Sequence, residues 1–71
     1  MDTPVTWKDI DEIAVRLYDA EPDLDPLTLR FTELLDRILA LPGFSGTREE
    51  SNEAKLEAVQ MTWLEEFQDS R

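Results

Sequence analysis

The chain contains no cysteine and no histidine. Without cysteine it has no disulfide framework, no thiolate metal site and no thiol nucleophile. Without histidine it lacks the commonest general base and the commonest transition-metal ligand. Zinc sites of the usual kinds and Cys–His or Ser–His catalysis are therefore excluded. Bases are scarce as well: seven Lys and Arg face 17 Asp and Glu, a formal charge of −10. Such a surface repels nucleic acid and anionic lipid and attracts basic proteins or cations. No apolar run approaches membrane-spanning length, and Met1-Asp2-Thr3-Pro4 lacks the basic and apolar regions of a signal peptide. A cytoplasmic chain with neither a nucleic-acid nor a membrane partner is expected.

What remains is enough for one small domain over residues 1–71, near the lower size limit for an unstapled core. The 41% apolar fraction is too high for a disordered acidic tail, and its spacing is orderly. Ile10, Ile13, Ala14, Leu17 and Tyr18 recur at helical spacing. With Thr6 as cap, Asp9 returning the bond and Val5 stapling onto Ile10, they predict a first helix over residues 7–20. Glu12 and Arg16 sit one turn apart in the favourable order. Leu34, Leu35, Ile38 and Leu39 predict a second helix over residues 33–41, capped by Thr32 and stopped at Pro42-Gly43. Residues 43–50 read as the longest loop, with Phe44 anchoring it. Ser51 or Asn52 then caps a third helix whose buried stripe is Leu56, Val59, Trp63, Leu64 and Phe67. The expected fold is all-α, a three-helix domain with its core inside residues 5–67 and a short extended piece near Arg30.

The densest feature is residues 17–26, LYDAEPDLDP. Pro22 ends the first helix, and Asp25-Pro26 reads as a second start signal with aspartate as cap and proline at the first position. Asp19, Glu21, Asp23 and Asp25 alternate through it, which is more acid than a connector needs. Oxygen-only ligands suit hard cations and iron with several waters retained. Asp19, Asp23 and Asp25, with Glu12 nearby, are the metal candidates if the turn folds back. The spacing is not that of an EF-hand, and on spacing alone a cap plus a solvated acidic turn is the weightier explanation. Tyr18, Asp19, Glu21 and Asp23, and separately Glu53 and Glu57 one turn apart, are the candidates for contact with a partner: acids around an aromatic anchor. Paired carboxylates alone give acid–base catalysis only in a cleft that splits their pKa values, and a domain this small has little room for one.

Trp7, residues 9–14, Leu17-Tyr18-Asp19, Pro22-Asp23-Leu24-Asp25-Pro26, Arg30-Phe31-Thr32, Phe44, Ser51-Asn52-Glu53, Leu56-Glu57-Ala58 and Trp63-Leu64, in that order, resemble the IscX family. These are small acidic proteins associated with bacterial iron–sulfur cluster assembly. The resemblance implies a modified winged-helix-like domain. It also implies a non-enzymatic accessory that binds cysteine desulfurase, with other assembly proteins as further partners, and that weakly holds exchangeable iron as donor or sensor. A chain without cysteine ligates no cluster of its own as thiolate scaffolds do. Two positions depart from the family: Glu21 stands where an aromatic or histidine is usual, and Ser45-Gly46-Thr47-Arg48 replaces a run of acids ending in proline. The kept acids lie around Pro22. A monomer is expected. The rival readings are an acidic decoy that imitates nucleic acid and a purely structural interaction domain.

Overall fold

A computed structural model describes residues 4–69; the reading of residues 1–3 as part of no leader lies outside them. Three α-helices are described: α1 (Ile10–Ala20), α2 (Phe31–Leu39) and α3 (Glu53–Asp69), with single 3-10 turns at Pro26–Thr28 and Arg48–Glu50. α3 packs most extensively on α1 and also touches α2 and the Pro26–Thr28 turn. Ile13, Ala14 and Leu17 from α1, Leu34, Leu35 and Ile38 from α2, and Leu56, Val59 and Trp63 from α3 form one buried cluster. Each large apolar side chain fully withdrawn from water contributes about 1.5–3 kcal/mol, so this cluster dominates the gross stabilisation. The all-α class and the stripes of α1 and α2 stand as expected; in α3 the stripe holds at Leu56, Val59 and Trp63, while Leu64 and Phe67, expected to be buried, are only half-buried. The Cα envelope measures 31 × 29 × 16 Å, its short direction being about what two packed helices span between their Cα atoms.

Both of the first two helices start at places other than those expected. The Asp9 carboxylate does reach back to the Thr6 N–H at 2.9 Å, but this closes a separate turn, and α1 begins only at Ile10. The reason is Trp7, whose indole is drawn away from the helix axis into the loop after α2. It lies edge-on to Phe44, centroids 5.1 Å apart, and donates from Nε1 to the Thr47 carbonyl at 2.8 Å. Val5 likewise joins the loop: its N–H donates to the Gly43 carbonyl (3.0 Å) and its carbonyl accepts from Ser45 N–H (2.8 Å). The resulting Val5–Phe44 bridge is the β pairing found among the described residues. Any winged-helix comparison therefore rests on helix order, without a β wing in that region.

α2 starts two residues before the expected Glu33. Glu33 Oε1 accepts from the Arg30 N–H at 3.0 Å and closes the N-terminus there, leaving Thr32 exposed inside the first turn. Leu29 and Arg30 are extended, as anticipated near Arg30. Ala40 caps α2, and Leu41 N–H bonds to Ile38 in a tighter turn that leads to Gly43 at φ +81°, where a side chain would be strained. Asn52 caps α3 as expected, accepting from Lys55 N–H at 2.8 Å.

Gly46 is required for a different reason. A Cβ there would lie 2.5 Å from Trp7 Cδ1 and 2.7 Å from Phe44 Cζ, because the two rings close over the bare backbone. Gly46→Ala is expected to lower the free energy of unfolding by about 1–3 kcal/mol, as overpacked sites do. The exposed control Ser45→Ala should stay within about 0.5 kcal/mol. Urea denaturation measures both; equal midpoints for the two variants would refute the ring-over-glycine constraint.

Candidate functional site: the acidic turn after the first helix

The turn that follows α1 is built from local bonds. Glu21 N–H returns to the Leu17 carbonyl at 3.1 Å to finish the helix, and Leu24 N–H bonds to the Glu21 carbonyl, also at 3.1 Å, around Pro22. Asp25 caps the next turn, its Oδ1 accepting from Leu27 N–H at 2.9 Å with Pro26 at the first position. Gln60 of α3 donates to the Pro26 carbonyl at 3.1 Å and ties this turn to the core layer. The start signal at Asp25-Pro26 is therefore real, as a single 3-10 turn.

These bonds divide the candidate acids. Glu21, expected to be free for a partner, is half-buried and forms an ion pair with Arg37 of α2. Glu12 pairs with Arg16 at 2.9 Å, and Arg16 also donates to the Pro42 carbonyl at 3.1 Å. Asp25 is occupied by its cap. Asp19 and Asp23 are exposed and make no side-chain hydrogen bond or ion pair among the described residues. Tyr18 is half-buried against the core, next in sequence to Asp19. Among the described residues no three acids converge where they could hold a metal ion, so the expected fold-back of Asp19, Asp23 and Asp25 with Glu12 does not form a ligand set. Glu53 and Glu57 are exposed on α3. Glu53 stands ten residues from Trp63, about 15 Å along the helix at its ordinary rise. Glu57 lies three residues before Gln60, the α3 residue that bonds to the Pro26 carbonyl.

The turn also walls a groove that sequence spacing does not reveal. A hollow of about 220 Å³ lies between Leu17, Ala20 and Glu21 of the α1 end, Arg37, Ala40, Leu41 and Pro42 of the α2 end, and Trp63 of α3. A second, of about 260 Å³, continues from Ala20, Leu41 and Pro42 to Arg16 and Asp19. Trp63 is fully buried, and its Nε1 finds no acceptor among the described residues. An unsatisfied buried donor costs about 1–3 kcal/mol. Glu21 and Arg37 are 16 positions apart and Arg16 and Pro42 26 apart, so no local pattern marks either contact.

Comparison with known proteins accords with this layout. A family described as iron-sulphur cluster assembly matches residues 5–68. The chain belongs to this family, the IscX family. An uncharacterized protein of Pseudomonas aeruginosa is 40% identical over 60 residues, covering 84% of this chain and 91% of that one. As an IscX-family member the chain takes part in iron–sulfur cluster assembly. Among the described residues, no helix is long and apolar enough to cross a membrane.

Electrostatics single out one further acid, in the loop between α2 and α3. Glu50 is held below the usual glutamate range, first by the Thr47 N–H at 2.8 Å, then by the Thr47 hydroxyl at 3.1 Å; desolvation opposes them, and a still smaller attraction from Lys55 adds to the lowering. Because the folded value is depressed, Glu50 stabilises the loop above its unfolded pKa, and that contribution is lost as pH falls through the folded value. A carboxyl-carbon titration by NMR should place Glu50 below the ordinary range. Thr47→Val should bring it part of the way back, since the backbone donor remains. An unshifted Glu50 in the unmodified chain would refute the assignment.

Proposed function

We propose that this IscX-family chain is a non-enzymatic accessory that docks on a basic surface of cysteine desulfurase and tunes sulfur delivery to the growing cluster. The observation that carries this reading is the division of acids at the α1 turn. Glu12 and Glu21 are consumed by arginines, while Asp19 and Asp23 stay exposed and unpaired, Asp19 directly following half-buried Tyr18. Unpaired carboxylates around an aromatic make a rim suited to a cationic protein surface, acting on association rate and specificity more than on intrinsic affinity. Glu53 and Glu57 supply a second exposed pair on α3 for a large partner. The domain is nearly as broad as it is long, which fits poorly with imitation of an extended phosphate backbone.

The residues present do not fit a closed iron site, for want of three converging acids among those described. Iron is assigned only a weak, exchangeable place on Asp19 and Asp23, next to Asp25, with water supplying most ligands. Such binding makes the ion cargo or signal, and the fold does not depend on it.

Calorimetry with purified desulfurase should show affinity falling more than about ten-fold as the Debye length drops from about 10 Å at 0.1 M salt toward 3 Å at 1 M. Asp19→Asn with Asp23→Asn should weaken binding several-fold, chiefly through the association rate. Salt-insensitive binding would overturn the electrostatic interface. For iron, an Fe(II) titration of the triple variant Asp19→Asn, Asp23→Asn, Asp25→Asn should lose the weak isotherm of the unmodified chain. Asparagine keeps the cap at position 25, so a lost isotherm is not a consequence of an undone turn, and an unchanged one would remove these residues as ligands.

A further inference from the structure

The groove beside the α1 end has an apolar floor and a rim whose cations are already spent. Arg16 is held by Glu12 and the Pro42 carbonyl, and Arg37 by Glu21. The charge left uncompensated at the mouth is Asp19. The floor includes Leu17 and Trp63, both buried, and Trp63 keeps a donor without an acceptor among the described residues. Ala20 and Ala40, both exposed, leave the opening clear of larger side chains.

We infer that this groove receives an apolar side chain from a basic segment of the partner protein, with a lysine or arginine beside it facing Asp19. The inference rests on the desulfurase reading and adds an anchor to it. Diffuse acid steers a partner but leaves its position loose, whereas one side chain seated in a desolvated hollow sets register and slows dissociation. Charge complementarity selects the occupant: an apolar side chain alone would leave Asp19 unmatched, and an acidic segment would meet it with repulsion.

The test uses the full chain and purified cysteine desulfurase. Ala20→Phe and Ala40→Phe fill the groove from opposite walls at exposed positions, and circular dichroism checks that each folds. Each should weaken binding by at least about ten-fold, mainly through faster dissociation. In the unmodified chain there are two indole resonances, Trp7 and Trp63, assigned through Trp63→Phe. The Trp63 resonance should move on saturation while that of Trp7, bonded to Thr47 outside the groove, stays. Binding by both variants within about two-fold of the unmodified chain, or an unmoved Trp63 resonance at saturation, would overturn the groove while leaving the desulfurase reading intact. Loss of a self-dimer in the variants, with desulfurase binding unaffected, would give the groove to a second copy and overturn it too. No binding by the unmodified chain would overturn the desulfurase reading first and the groove with it.

Discussion

A single indole, Trp63, is buried where α3 meets the ends of both other helices, and the remaining structure is arranged around keeping it there. It is the largest of the fully buried side chains in a domain only 16 Å through its short axis. Its neighbours include Leu17 at the end of α1 and Leu41 beyond the end of α2, so both helices must stop beside it. Pro22 and the Pro42-Gly43 turn enforce those stops. The hydrophobic gain from burying the ring is large, and it is taken at the expense of an unsatisfied Nε1. The same termination that makes room for the ring leaves the groove open beside it.

Charge plays the opposite part. Three ion pairs are present among the described residues, Glu12–Arg16, Glu21–Arg37 and Asp36–Arg48, and all have side chains at least a third exposed. Pairs of that exposure contribute about 0–1 kcal/mol each. They cannot hold the fold, yet they absorb three of the scarce arginines. The formal charge of −10 is therefore left on a surface with few internal partners for it. Repulsion of that kind is a cost that apolar packing must offset, and an acidic surface that lowers the stability of its own domain is most easily understood as serving contact with something cationic.

Residues 17–26 show how much was legible from spacing and where legibility ended. Pro22 as a stop, Asp25 as a cap and Leu17 as a core residue all follow from local chemistry, and all hold. Glu21 had no visible folding task because its arginine lies 16 residues away on another helix. Val5 and Trp7 were likewise assigned to the nearest helix, although their partners Phe44 and Thr47 are about 40 positions distant. Periodicity reports which face of an element is buried and says nothing about which distant loop will compete for a residue at its end. The boundary at Ile10 moved for that reason, through Trp7, whereas the one at Phe31 moved through a local bond, Glu33 Oε1 accepting from the Arg30 N–H three residues before it.

The loop between α2 and α3 bears on how the acids at the turn should be weighed. Ser45-Gly46-Thr47-Arg48 stands where the resemblance leads one to expect an acidic run, and each of its residues is engaged in structure. Ser45 joins the Val5 bridge, Gly46 lies under two rings, Thr47 holds Trp7 and Glu50, and Arg48 pairs with Asp36. A segment so committed has little left with which to meet a ligand. Asp19 and Asp23 are in the reverse position, exposed and uncommitted, Asp19 at the mouth of a groove whose cations are neutralised. If one end of this domain meets a basic partner, the physical asymmetry between committed loop and uncommitted turn places that contact at the end of α1.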